Sequence, residues 1–173
     1  MNSLLNKLFG GSANATTETS SDTETVRRIV GELDRLDPDE ARYLAAFAFV
    51  LARVANADSE ISADESRRME QVVREVGGLT EPQAVLVVQI AKAQQQLKGG
   101  TENYLVTREF DRIASREQKE KLLHCLFEIS AADDEISLVE ENEVKTIANE
   151  LKFEHREFSA IRSEYNEQRS ILK

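Results

Sequence analysis

Tryptophan is absent from this 173-residue chain, cysteine occurs once, proline and histidine twice each, and glycine seven times. The lone Cys125 excludes an internal disulfide framework and a cysteine-based zinc cluster, and it suits a reducing compartment. No apolar run approaches the roughly 20 residues that span a bilayer, so no transmembrane segment is expected. The N-terminus lacks the basic start, long apolar stretch and small-residue cleavage site of a signal peptide. Asn2 rather than glycine follows Met1, so the N-myristoylation pattern is missing as well. The expected location is the cytoplasm. Basic residues are also scarce: 22 against 32 acidic ones, a net charge of -10. Without a local basic stripe along the sequence, such a chain is repelled by phosphate backbones, which excludes nucleic acid as the expected partner. A cation or a basic protein surface remains compatible.

What is present organises itself into one domain, as 173 residues allow. Leu4, Leu5, Leu8 and Phe9 in the first ten residues would share a helical face, a short amphipathic anchor for a membrane interface or a partner groove. The alternative is a plain tail, since so short a helix is marginal alone. Gly10 to Ser21 reads as a flexible linker, so residues 1–22 are expected as tail and 23–173 as the helical domain.

From Thr23 onward helix starts recur with capping chemistry. Asp37-Pro38-Asp39-Glu40 offers an N-cap carboxylate and a proline at the first helical position. Thr80 with Gln83 and Ser115 with Gln118 have capping-box spacing, and the pairs Gly77-Gly78 and Gly99-Gly100 supply stops. An all-α fold of seven to eight helices follows, expected near 24–35, 38–56, 63–76, 81–97, 102–112, 116–131, 138–151 and 154–170. Ala84 to Ile90 is the one strand-like stretch. Its capped start and the Ala-Lys-Ala-Gln-Gln-Gln that follows favour a buried helix.

The most informative feature is an internal repeat at an offset of 75, the separation of Asp58 and Asp133. Val54 to Val76 matches Ile129 to Leu151. Identities include Ala57/Ala132, Asp58/Asp133, Glu60/Glu135, Ile61/Ile136, Ser62/Ser137 and Glu65/Glu140, while Met69/Val144, Val72/Ile147 and Val76/Leu151 keep an apolar stripe. Apolar spacings of three and four make each copy a helix, a short acidic loop and a second helix. Two such units are expected to pack about a pseudo-two-fold axis.

Against an EF-hand loop, Asp58, Ser62 and Glu65 fall at positions 5, 9 and 12, as do Asp133, Ser137 and Glu140 in the second copy. Position 1 holds Val54 and Ile129, which belong to the preceding helix core, so an ordinary high-affinity calcium loop is excluded. A partial site remains, with Asp58, Glu60 and Glu65 in one loop and Asp133, Glu135 and Glu140 in the other as candidate ligands for weakly bound Ca²⁺ or another divalent cation. The competing reading is structural. Ser62 with Glu65 and Ser137 with Glu140 are capping boxes, and Asp58 and Asp133 favour a helix N-terminus. Glu60 and Glu135 have no role in a cap. The stretch from Glu128 to Glu143 holds seven acidic residues and no basic one, either a solvated face or a docking surface for a basic partner.

The doubled A-D-x-E-I-S-x-x-E between apolar helices resembles the TerB-like family of tellurite-resistance proteins, whose fold also occurs in the N-terminal region of the DjlA co-chaperones. The resemblance covers roughly residues 38 to 165. It implies an all-helical fold, an acidic surface that chelates metal, and a role in stress response beside membrane-associated protein partners, hence a peripheral place at the inner membrane face. Ser59 and Asp134 stand where the family motif carries glycine, and no His-Pro-Asp occurs, so J-domain chemistry is not implied.

Enzymatic chemistry finds no pattern in the sequence. His124 and Cys125 are neighbours on one helix and point ~100° apart, a poor nucleophile and base. Cys125 matches Val50 of the other copy and is expected in the core, and His155 is expected at the surface. The chain is expected to be a non-enzymatic module, either cation-binding and partner-docking or a metal-independent acidic adaptor.

Overall fold

The computed structural model describes residues 19–55, 61–96, 103–133 and 136–168. Among them are eight α-helices and no β-strand: α1 (Thr19–Asp34), α2 (Pro38–Ala55), α3 (Ala63–Glu75), α4 (Glu81–Gln96), α5 (Asn103–Ile113), α6 (Arg116–Ser130), α7 (Leu138–Glu150) and α8 (His155–Ser163). Short 3-10 turns cover Ala131–Asp133 and Asn166–Gln168. The all-α expectation holds. The amphipathic anchor read into residues 1–10 lies outside the described residues.

Two boundaries differ from expectation. α1 begins at Thr19, inside the stretch read as linker. α8 ends at Ser163 rather than near 170, because Glu164 and Tyr165 turn their amides back onto the carbonyls of Ile161 and Arg162, three residues earlier. These tighter bonds take up the last carbonyls and close the helix in a 3-10 turn.

The caps explain most of the other boundaries. The Asp39 amide donates to Asp37 Oδ1 at 3.0 Å, and Pro38 opens α2. Ser62, Ser115 and Ser137 each accept the amide of the third helical residue, whose side chain accepts the serine amide in return. Thr80 and Gln83 make the same pair of bonds. Each cap satisfies donors that a helix start leaves orphaned, worth about 1 kcal/mol apiece.

α2 is the central helix. From Leu44 to Ala52 every residue is buried, and α1, α4, α5, α6 and α7 all pack on it. A helix apolar on all sides needs such surroundings. Its alanines 45, 46, 48 and 52 let neighbouring backbones approach closely. The β-branched run of α4 lies against it, with Val87, Val88, Ile90 and Ala91 buried, as a helix rather than a strand.

The repeat is visible as packing. α2 and α6, the first helix of each copy, touch one another, and each also packs on the second helix of the other copy, α7 and α3. Phe47/Leu122, Leu51/Leu126 and Val50/Cys125 are all fully buried. The correspondence also runs further than a fixed offset reveals. Beyond α3 and α7 it continues at 74: Gly78 with Lys152, Leu79 with Phe153, Thr80 with Glu154 and Gln83 with Glu157. Gly78 and Lys152 share a left-handed backbone, φ 72° and 62°. The Glu154 amide donates to the Glu157 carboxylate at 2.7 Å as the Thr80 amide does to Gln83. Each copy therefore comprises three helices, and Gly77 is the extra residue that breaks the register.

Candidate functional site

The ends of α2 and α6 and the starts of α3 and α7 meet. Ile61, Glu65, Arg68 and Met69 of the first copy face Ile129, Ala132 and Glu140 of the second across a small cleft of about 80 Å³. Of the six expected ligands, Glu65 and Glu140 are thus brought together. Asp58, Glu60 and Glu135 lie outside the described residues, and Asp133 is described by its backbone alone, closing the 3-10 turn.

Both glutamates are engaged locally. Glu65 Oε2 accepts the Ser62 amide at 2.6 Å. Glu140 Oε2 accepts the Ser137 amide at 2.9 Å and its hydroxyl at 2.6 Å. The bonds from Ser62 hold the Glu65 carboxyl below the usual glutamate range, and Arg68 adds to the effect. Arg68 also brings a positive charge into the cleft, its Nη1 donating to the Ala132 carbonyl at 3.1 Å. Among the described residues no three His, Cys, Asp or Glu side chains group as a cation shell. The described carboxylates fit capping and leave a cation shell incomplete by themselves.

The residues just before the two caps belong to the core. Ile61 and Ile136 are buried, and so are the polar residues at the fourth helical position, Ser66 and Glu141. Both are satisfied: Ser66 donates to the Ser62 carbonyl at 2.7 Å and accepts from Lys92 at 3.1 Å, and Glu141 accepts from Arg162 at 3.3 Å.

Glu143 is not part of a free acidic face. It and Glu150 bind Arg53 of α2, at 2.7 and 2.6 Å, while Arg53 also donates to Thr107 of α5 at 2.7 Å. The Arg53 side chain is 7% exposed, so this is an interior ion triad tying the two copies together. Sequence reasoning missed Arg53. The available signal was a charge reversal: Arg53 and Arg68 of one copy stand opposite Glu128 and Glu143 of the other. With Glu141 on Arg162, the acidic stretch is partly neutralised from neighbouring helices.

Among its described residues two large apolar side chains are exposed. Leu138 and Val139, at the first turn of α7, are 51% and 69% exposed, where the first copy has Ala63 and Asp64.

Cys125 is fully buried, and burial followed by the Glu128 charge pushes its thiol up to about 12. Such a thiol carries no nucleophilic thiolate near neutrality. His124 turns instead to Tyr165, Nδ1 to hydroxyl 2.9 Å, and Tyr165 stacks on Phe127. His155 is exposed, as expected. No described helix is long and apolar enough to cross a membrane.

Comparison with curated proteins and with solved structures returns no significant match. The family model described as "Tellurite resistance protein TerB" matches residues 43–163, which run from α2 through the end of α8 and contain both copies of the repeat. The chain belongs to the TerB family.

Proposed function

We propose that this TerB-family chain is a non-catalytic docking module of a stress response, receiving a protein partner at the start of α7. The observation that supports the reading is the exposed pair Leu138 and Val139, flanked in sequence by Asp133, Asp134, Glu135 and Glu140. Adjacent exposed apolar side chains rimmed by charge mark interaction sites. The acidic residues beside the pair in sequence favour a partner with lysine or arginine around an apolar anchor and steer its approach. A membrane-associated partner at the inner membrane face suits the family, and encounter there requires no span from this chain. Affinity capture of the partner tests the proposal. Capture weakened by salt, lost in Leu138→Ser/Val139→Ser and unchanged by chelator is expected; capture unaffected by the double substitution overturns it.

A second reading, weak divalent-cation binding by the paired loops, draws support from Glu65 and Glu140 facing one cleft from the two copies. Asp58, Glu60, Asp133 and Glu135 would then complete the oxygen shell that Ca²⁺ requires. Titration with Ca²⁺ followed by NMR is expected to shift amides 58–65 first. Absence of any shift at millimolar ion would remove this reading and leave the docking proposal standing.

A further inference from the structure

Lys152 stands where the first copy has Gly78. Gly78 takes a left-handed backbone freely, whereas a side chain in that region costs about 1 kcal/mol. Strain of this kind persists where surrounding contacts over-determine it. Here Lys152 Nζ binds Asp111 Oδ2 at 2.5 Å, its carbonyl accepts from Arg116 Nη1 at 3.5 Å, and Arg116 lies over the Phe153 ring. Lys119 Nζ binds the other Asp111 oxygen at 2.8 Å. The Asp111 side chain is 6% exposed, and its charge is spent on fixing two ammonium groups.

Those ammonium groups open onto a basin of about 700 Å³ lined by Leu105, Arg108, Glu109, Asp111, Arg112, Lys119 and Lys152. Arg112 pairs with Glu109, and among the described residues no carboxylate pairs with the exposed Arg108. Four cations against two carboxylates leave an excess of positive charge on a chain whose net charge is -10. No basic stripe is visible along the sequence because the four residues come from α5, α6 and the turn after α7. The first copy has no such feature: glycine stands at the place of Lys152.

We infer that this basin binds a phosphate group carried on an organic body, with Arg108, Arg112 and Lys152 at the rim and Lys119 at the floor. Guanidinium forks match phosphate oxygens in pairs, and lysines add point charges. Leu105 and the neighbouring Tyr104, both exposed, give the organic part an apolar shelf. A soluble phosphate ester and a lipid headgroup present the same chemistry.

The test uses the full chain, isotope-labelled, in phosphate-free buffer. Inorganic pyrophosphate is expected to shift amides 105–119 and 152–153, saturating by ~10 mM. Arg108→Glu and Lys152→Gly are each expected to weaken binding about tenfold, the second without threat to folding because glycine suits that backbone. Arg67→Glu, a charge reversal on α3 outside the basin, is expected to change nothing. No shift in the basin, or equal shifts in Arg108→Glu and wild type, would overturn the inference. Flotation with phosphatidylglycerol vesicles, against phosphatidylcholine alone, then separates the sources: co-flotation lost in Arg108→Glu assigns a lipid headgroup, and pyrophosphate binding without flotation assigns a soluble ester.

Discussion

Arg53 and Glu150, on the first helix of one copy and the last turn of the second helix of the other, meet at 2.6 Å inside the domain. Glu143 shares the same guanidinium at 2.7 Å. At the pseudo-symmetric places Glu75 keeps the charge of Glu150, while Glu128 and Arg68 reverse those of Arg53 and Glu143. Duplication thus supplied the helices, and divergence of charge supplied a specific contact between the copies.

Removing Arg53 strands two partly buried carboxylates, which costs more than the contact itself contributes. Arg53→Ala is expected to destabilise the domain by about 3 kcal/mol, a fall in Tm of ~10 °C for a chain of this size. Glu150→Gln, which keeps an acceptor for Arg53, is expected to cost less than half as much. Urea and thermal unfolding measure both; equal losses would place the weight on packing rather than on charge.

Capping and cation binding separate at Glu65 and Glu140. The Ser115 box works with Gln118, so glutamine suffices for a cap in this chain. Glu65→Gln and Glu140→Gln are therefore expected to change stability by less than about 0.5 kcal/mol, and Ser62→Ala and Ser137→Ala to cost about 1 kcal/mol each. Any Ca²⁺-induced NMR shift is expected to vanish in the glutamine variants and survive in the alanine ones. The Glu65 carboxyl is expected to titrate below the usual glutamate range in wild type and to return toward it in Ser62→Ala, since its largest causes are bonds from Ser62.

Alkaline stability reports on Cys125 and Tyr43, each pushed up to about 12, chiefly by burial. Below pH ~8, a unit under its ordinary value of 9.0, the thiol is protonated in folded and unfolded chains alike and adds no slope. Above it the unfolded chain releases a proton that the folded chain keeps, so stability falls with pH, by at most about 1.4 kcal/mol per unit for each group. Tyr43 joins from its ordinary value of 10. Cys125→Val, the residue found at Val50 in the other copy, is expected to flatten the onset between pH 9 and 10 at little change in neutral stability. An unchanged onset would mean that the thiol ionises in the folded state.

Helix positions were legible because their determinants are local: Ser62, Ser115, Ser137, Thr80 and Pro38 each act within three residues. The doubling was legible for the same reason, as paired apolar stripes. Legibility ended where two helices distant in sequence decide. Nothing near Glu143 announces Arg53, nothing near Glu141 announces Arg162, and an acidic run with no basic residue of its own reads as solvated. The correspondence between the third helices, α4 and α8, escaped because Gly77 shifts the offset by one residue. The basic basin escaped because Arg108, Lys119 and Lys152 are gathered only by the packing of α5, α6 and α7. Among the expected ligands, the meeting of Glu65 and Glu140 depends on α2 and α6 packing on each other and on the second helix of the opposite copy.

Docking at the start of α7 is put to the test by an NMR titration with an amphipathic peptide of leucine and lysine in the presence of chelator. Salt-sensitive shifts at residues 136–143 are expected, as is their loss in Leu138→Ser/Val139→Ser, whose exposed positions leave stability within about 0.5 kcal/mol of wild type. Shifts spread elsewhere on the domain, or shifts at 136–143 that persist in the double variant, would contradict it.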